Sequence, residues 1–265
     1  MHLLNAQAVE ADAGEPVDLG QTPGDIVFLS TAETELAVMA RAHRALGDGA
    51  PSLRLANLLK LQHPYSVDLY VDASVARARY VIVRLLGGRA YWSYGVECLA
   101  ATARAHAIPI AFLPGDDRAD PDLADWSTIP AEDLRRLWLY LIHGGADNAA
   151  NLLAFVAERI GRPAPAWQEP APLLPAGLVH DSATAKGPNA AIVFYRALIQ
   201  AGNPEPIETL ARALEAEGFG VRALFATSLK DAQAAAIVTD LLDAQPIDVV
   251  VNLTGFALGG GRTLL

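Results

Sequence analysis

The run Tyr80 to Leu86 (YVIVRLL) constrains this chain most. It is too short for a helix, rich in β-branched residues and almost without polar alternation, the pattern of a strand buried on both faces. Such a strand needs helices above and below it, so its neighbours in sequence should alternate between strand and helix. They do. Asp25–Ser30 (DIVFLS), Leu53–Leu58 and Ile108–Leu113 (IPIAFL) are further short apolar runs. Between them lie helical patterns: from Ser30 with Glu33 as a capping box through Leu46, over Ser66–Ala76, and over Tyr91–Ala107. Four strands separated by helices predict a parallel sheet with right-handed crossovers.

Pro130 suits the first residue of a helix running to His143, and the Gly144-Gly145 break predicts an antiparallel partner over Asn148–Ile160. Pro163, Pro165, Pro170, Pro172 and Pro175 then exclude a continuous helix or central strand, so residues 162–177 are expected to link two domains, 1–161 and 178–265. The alternation resumes with Ala190–Tyr195, a helix over Ile207–Glu217 stopped by Gly218, a strand Val221–Ala226, a helix Leu229–Ala244 and a strand Ile247–Leu253. The expected fold class is α/β: two Rossmann-like or flavodoxin-like parallel-sheet units. The second is expected to be truncated at three strands, marginally stable, and part of a longer protein.

Composition removes several function classes. With 20 basic and 30 acidic residues among 265, the formal charge is −10, which disfavours nucleic acid and anionic membrane surfaces. Cys98 is the single cysteine, so neither an intrachain disulfide nor a cysteine-based zinc or iron–sulfur site can form. Residues 1–15 lack a basic start followed by an apolar core, and Leu137–Ala157 is interrupted by glycines; a cytoplasmic protein without a membrane span is expected. There is no GxxxxGK[ST], HExxH, GxSxG or GxGxxG, and no two histidines are spaced for a helical metal site. No catalytic or metal-ligating residue is assigned.

The most informative local feature is the end of the buried strand and the helix after it. Gly87, Gly88, Arg89, Tyr91, Trp92 and Tyr94 gather there two glycines, a cation and three aromatics, at the kind of sheet edge where ligands sit. One reading is a lip for a flat carboxylated ligand, with Arg89 and free helix N–H groups meeting the anion and the aromatics the ring face. The other is a tight turn whose aromatics pack on the sheet or on a neighbouring domain. Thr254-Gly255-Phe256 is read as a turn, and Asp116, Asp117, Asp120 and Asp122 as a solvated acidic loop.

An ordered series of segments adds to these readings. Asp18–Pro23 (DLGQTP), Pro51–Leu58 (PSLRLANL), His63–Asp72 (HPYSVDLYVD), Val83–Gly95 (VRLLGGRAYWSYG) and Phe112–Leu123 (FLPGDDRADPDL) lie in the first unit. Ile192–Leu198 (IVFYRAL), Gly202–Phe219 and Phe225–Asp231 (FATSLKD) lie in the second. Together they resemble the N-terminal part of the large subunits of ATP-dependent cobaltochelatases, in the CobN/magnesium chelatase H-subunit family.

The resemblance implies a tetrapyrrole-binding subunit that inserts Co²⁺ into hydrogenobyrinic acid a,c-diamide during aerobic cobalamin synthesis. It implies ATP/Mg²⁺ bound by a AAA+ partner (CobS-like), and a second partner with an adhesion-type metal-binding domain (CobT-like). Family members are several-fold longer, so this stretch alone is expected to be inactive. The magnesium chelatase subunit, which acts on protoporphyrin IX, is the nearest alternative, and a non-catalytic binding or docking module is another.

Overall fold

The computed structural model describes residues 15–184 and 187–254. The chain divides into two compact units, residues 1–171 and 172–265. Each is described by itself.

Unit 1 begins with β1 (Ile26–Ser30), α1 (Glu33–Ala45), β2 (Leu53–Asn57), α2 (Pro64–Ala73), β3 (Tyr80–Leu85), α3 (Ser93–Ala105) and β4 (Ile110–Pro114). It continues with α4 (Pro121–Trp126), α5 (Ala131–His143) and α6 (Gly145–Arg159). The strands pair in parallel in the order β2-β1-β3-β4. This is the order in which flavodoxin-like sheets begin, and the chain reverses direction between β1 and β3.

Every residue of β1 and of β3 is buried, as the unbroken apolar run predicts. On one face Val27, Leu29, Val81 and Val83 pack against Tyr70 of α2, Leu99 of α3 and Leu123 of α4. On the other, Ile26, Phe28, Tyr80 and Ile82 pack against Met39 of α1, Leu137 of α5 and Leu152 of α6. The expected capping box at α1 does not form. Ala32 is the cap residue and has no side-chain bond, while the Ser30 hydroxyl accepts from the Ala32 amide and donates to Glu35 rather than meeting Glu33.

The proline-rich stretch after α6 is fastened to unit 1 as far as Ala171. Arg162 donates to Asp25 Oδ1 at 2.8 Å, the Trp167 ring meets Phe155 edge-on at 5.1 Å, and Arg136 forks onto Glu169 at 2.9 and 3.0 Å. Asn148 of α6 both donates to the Ala171 carbonyl and accepts from its amide.

Unit 2 contains β5 (Ala176–Asp181), β6 (Asn189–Tyr195), α7 (Ala197–Gln200), α8 (Glu205–Ala216), β7 (Gly220–Ala226), α9 (Ala232–Asp243) and β8 (Val249–Asn252). Its sheet has the order β5-β7-β6-β8, with β6 parallel to both neighbours and β5 antiparallel to β7. Four strands rather than three are therefore present, and the sheet is mixed rather than all parallel. The extra strand starts directly after Pro175, inside the stretch expected to be linker. An edge position tolerates the flanking proline because only one side of the strand is paired. Ile192, Phe194 and Val221 form the core under Ile207 and Ala211 of α8, while Val249 and Val250 of β8 remain exposed. Among the described residues no helix is long and apolar enough to cross a membrane.

Asp25 ties the start of β1 to Ser52 ahead of β2 and to Arg162 after α6. Burial alone would raise its carboxyl, but hydrogen bonds from Arg162 and from the Ser52 hydroxyl and amide outweigh that and hold it at about 2. An unfolded Asp titrates near ~3.9, so in the acid range the unfolded chain binds the proton more tightly and stability falls as pH falls. Denaturant titrations of the wild type should therefore show stability decreasing from about pH 4 toward pH 2. Asp25→Asn should be less stable at neutral pH and lack this component of the slope; an unchanged slope would contradict the assignment.

Candidate functional site

In a doubly wound sheet the loops after β1 and β3 diverge to opposite faces and leave a crevice beyond the strand ends. In unit 1 the last residue of β1, Ser30, is in register with Arg84 of β3 at this point. Arg84 is the one charge within the apolar run, and its side chain is only 6% exposed. Its Nε lies 2.6 Å from Glu35 Oε1, and Glu35 Oε2 accepts from the Ser30 hydroxyl at 2.7 Å. Nη2 donates to the Gly115 carbonyl at the exit of β4. Burial pushes the Glu35 carboxyl upward against the pull of Arg84 and Ser30, and it lowers Arg84 against the pull of Glu35 and Asp116. The pair thus clamps α1, β1, β3 and the β4 exit together at the floor of the crevice.

The residues singled out in the sequence lie just above. Gly87 and Gly88 both have positive φ, 93° and 71°, which a side chain would strain, and they turn the chain out of β3. Leu86 lies across the β4 exit so closely that a Cβ on Gly115 would sit 2.7 Å from its backbone. Arg89 begins a single 3-10 turn, Arg89–Tyr91, leading into α3. It is not free to meet an anion alone: its guanidinium contacts Asp122 at 3.2 Å and Glu97 at 3.5 Å and lies 5.5 Å from the Trp126 ring centre.

Trp92 turns inward. It is 4% exposed, its indole N–H donates to the Leu61 carbonyl at 2.7 Å, and it belongs to the core beneath α3. Gly95, three residues on, makes room for it, since a Cβ there would come within 2.1 Å of the indole. Tyr91 and Tyr94 point outward, with the Tyr94 hydroxyl donating to Asp68 of α2 at 2.7 Å. The structure therefore brings Gly87, Gly88, Arg89, Tyr91 and Tyr94 together at the surface and sends Trp92 to the core.

The acidic loop is more ordered than its composition implies. Asp120 caps α4 by accepting from the Leu123 amide, Asp116 accepts from the Arg118 amide, and Asp122 holds Arg89. Among the described residues no group of three or more His, Cys, Asp or Glu is placed to hold a metal ion. Thr254 is buried and bonds to Asn252, whereas Gly255 and Phe256 lie outside the described residues, as do the glycines at 259–261. Sequence reasoning missed the Ser30–Glu35–Arg84 cluster, although an arginine inside YVIVRL was its signal.

Comparison with known proteins fixes the context of this edge. Residues 138–264 match the CobN/magnesium chelatase family. An aerobic cobaltochelatase subunit CobN from a Sinorhizobium species is 43% identical across 97% of the chain, and one from Pseudomonas aeruginosa is 40% identical across 97%. The chain thus carries a CobN/magnesium chelatase family segment over residues 138–264 and is similar to CobN subunits over nearly all of its length. It spans 22% of the length of each of these relatives. The catalytic subunit of cobaltochelatase from Mycobacterium tuberculosis has a similar structure, with a TM-score of 0.65 at 29% identity over 83% of this chain and 17% of that one. The resemblance carried by the ordered segments is thereby borne out at the level of the family.

Two substitutions test this local architecture. Arg84→Met or Glu35→Leu alone leaves a buried charge without its partner and should cost about 3–5 kcal/mol, whereas the double substitution should cost clearly less than their sum. Equal and additive losses in equilibrium unfolding would show that the two charges act independently. Gly95→Ala should destabilise unit 1 by about 1–3 kcal/mol through displacement of the indole, with a shift in Trp fluorescence. An unperturbed emission spectrum would mean that Trp92 packs elsewhere.

Proposed function

We propose that these residues are the N-terminal part of the tetrapyrrole-binding large subunit of a cobaltochelatase, which inserts Co²⁺ into hydrogenobyrinic acid a,c-diamide with ATP hydrolysis. The observation that carries this reading is the identity of 43% and 40% to two CobN subunits over 97% of the chain, through both units. ATP and its Mg²⁺ belong on a AAA+ partner, in keeping with a sequence that has no phosphate-binding GxxxxGK[ST]. A further partner carries an adhesion-type metal-binding domain, and the complex works in the cytoplasm. Unit 1 acts as a head domain, and the short stretch between Ala171 and β5 connects it to the second α/β domain.

Metal insertion requires removal of two pyrrole protons and stripping of water from Co²⁺, so it needs bases and oriented ligands around a large pocket. Unit 1 offers a closed ion pair and a closed aromatic core at its crevice, and its role in this reading is architectural. The lip formed by Gly87, Gly88, Arg89, Tyr91 and Tyr94 contributes contacts to a ligand or to a neighbouring domain.

The test is metal insertion by the large subunit bearing these residues, assayed with its two partner subunits and ATP. Co²⁺ should enter the a,c-diamide and Mg²⁺ should not enter protoporphyrin IX. The reverse result would place the chain with the magnesium enzymes, and neither activity would overturn the chelatase reading.

A further inference from the structure

Val17 apart, every large apolar side chain that unit 1 leaves exposed among its described residues stands at one edge of the sheet. Leu59 follows the end of β2 and Tyr65 opens α2; Leu86 follows β3, and Tyr91 and Tyr94 lead into α3. Parallel pairing puts all of these at the carboxyl ends of the strands. A soluble domain scatters its exposed apolar residues, so collection of aromatics at one rim marks a surface that is covered in the working protein.

The charge around this rim selects what covers it. Asp116, Asp117, Asp120 and Asp122 lie along the exit of β4, with Asp68 bonded to Tyr94 and Glu97 beside Arg89. Against them stand Lys60, Arg89 and Arg118, and Arg89 is already held by Asp122 and Glu97. A polycarboxylated macrocycle would meet net negative charge and lose more in repulsion than a flat contact returns. A polypeptide surface with apolar anchors and a basic border fits both features. Since the chain spans 22% of its CobN relatives, most of such a large subunit is further polypeptide that unit 1 must meet.

We propose that the rim formed by Leu59, Tyr65, Leu86, Tyr91 and Tyr94 is the docking surface for the remaining polypeptide of the same large subunit, which meets it with a basic-bordered apolar patch. The inference rests on the large-subunit reading only in requiring a longer chain; it does not depend on which metal is inserted. It also chooses between the two readings of the lip, assigning Tyr91 and Tyr94 to a contact within the protein rather than to the ring face of a tetrapyrrole.

Hydroxyl-radical footprinting compares the 265-residue chain with the intact large subunit. Tyr65, Tyr91 and Tyr94 should oxidise readily in the former and about tenfold more slowly in the latter, with no substrate present, as expected for the desolvated centre of an interface. Addition of the tetrapyrrole or of the partner subunits should not change their rates. Protection that appears only with the tetrapyrrole would overturn the proposal in favour of a ligand lip. Protection only with another subunit would make the rim an intersubunit surface, and no protection at all would leave it uncovered; either result also overturns the proposal. Failure of metal insertion with the tyrosines protected would refute the chelatase reading while leaving the docking surface standing.

Discussion

Parallel strands cannot be joined by tight turns, and this governs where unit 1 carries its chemistry. Each connection must cross the sheet through a helix, so every strand of the β2-β1-β3-β4 sheet ends at the same edge. The helices cover both faces, which is why β1 and β3 are buried throughout and why the only direction left for polar groups is outward from the strand ends. Ser30 and Arg84 are the last residues on one face before the chain leaves the core. The guanidinium is tolerated there because Glu35 and the Gly115 carbonyl answer it. Removing water from both charges leaves neither stable without the other.

In unit 1, β1, β3 and β4 were legible because burial on two faces writes a nearly unbroken apolar run, whereas β2 is mostly half-buried and was read from its place in the alternation. The same rule explains what was not legible. β5 (Ala176–Asp181) is only partly buried, pairs on one side and follows five prolines, so neither period-two alternation nor an apolar run announced it. α4 (Pro121–Trp126) carries a legible start, Asp120 as cap and Pro121 in the first turn, but at six residues its polar face dominated the composition and the segment read as an acidic loop. At α1, sequence spacing favoured a Ser30–Glu33 box. Ser30 still belongs to β1, and its hydroxyl is engaged with Glu35 beside the buried arginine.

The candidate site was half legible, for a physical reason. A glycine pair after a buried strand fixes where the chain leaves the sheet, and the positive φ angles of Gly87 and Gly88 agree with that role. What a local pattern cannot fix is the direction of each aromatic, because that depends on space provided by other elements. Trp92 goes inward because Leu61 offers a carbonyl and Gly95 leaves room for the ring. Tyr91 and Tyr94 have no such cavity and remain outside. Leu59 and Tyr65 come from the preceding connection, so only the folded sheet brings them to the same rim.

These placements bear on what the strand-end edge of unit 1 can do. A group that binds a substrate anion or moves a proton must keep an unspent bond for the reacting molecule. At the crevice of unit 1 most bonds are spent internally: Arg84 on Glu35 and the Gly115 carbonyl, with its Nη1 buried and unbonded, Arg89 on two carboxylates, and the Trp92 indole on Leu61. What the edge presents outward is apolar area and carboxylate, a combination that favours association with a basic protein surface over capture of an anionic ring. The same fold geometry that in other α/β proteins exposes a ligand site has here been closed by ion pairing, and the rim above it is free to serve as a joint.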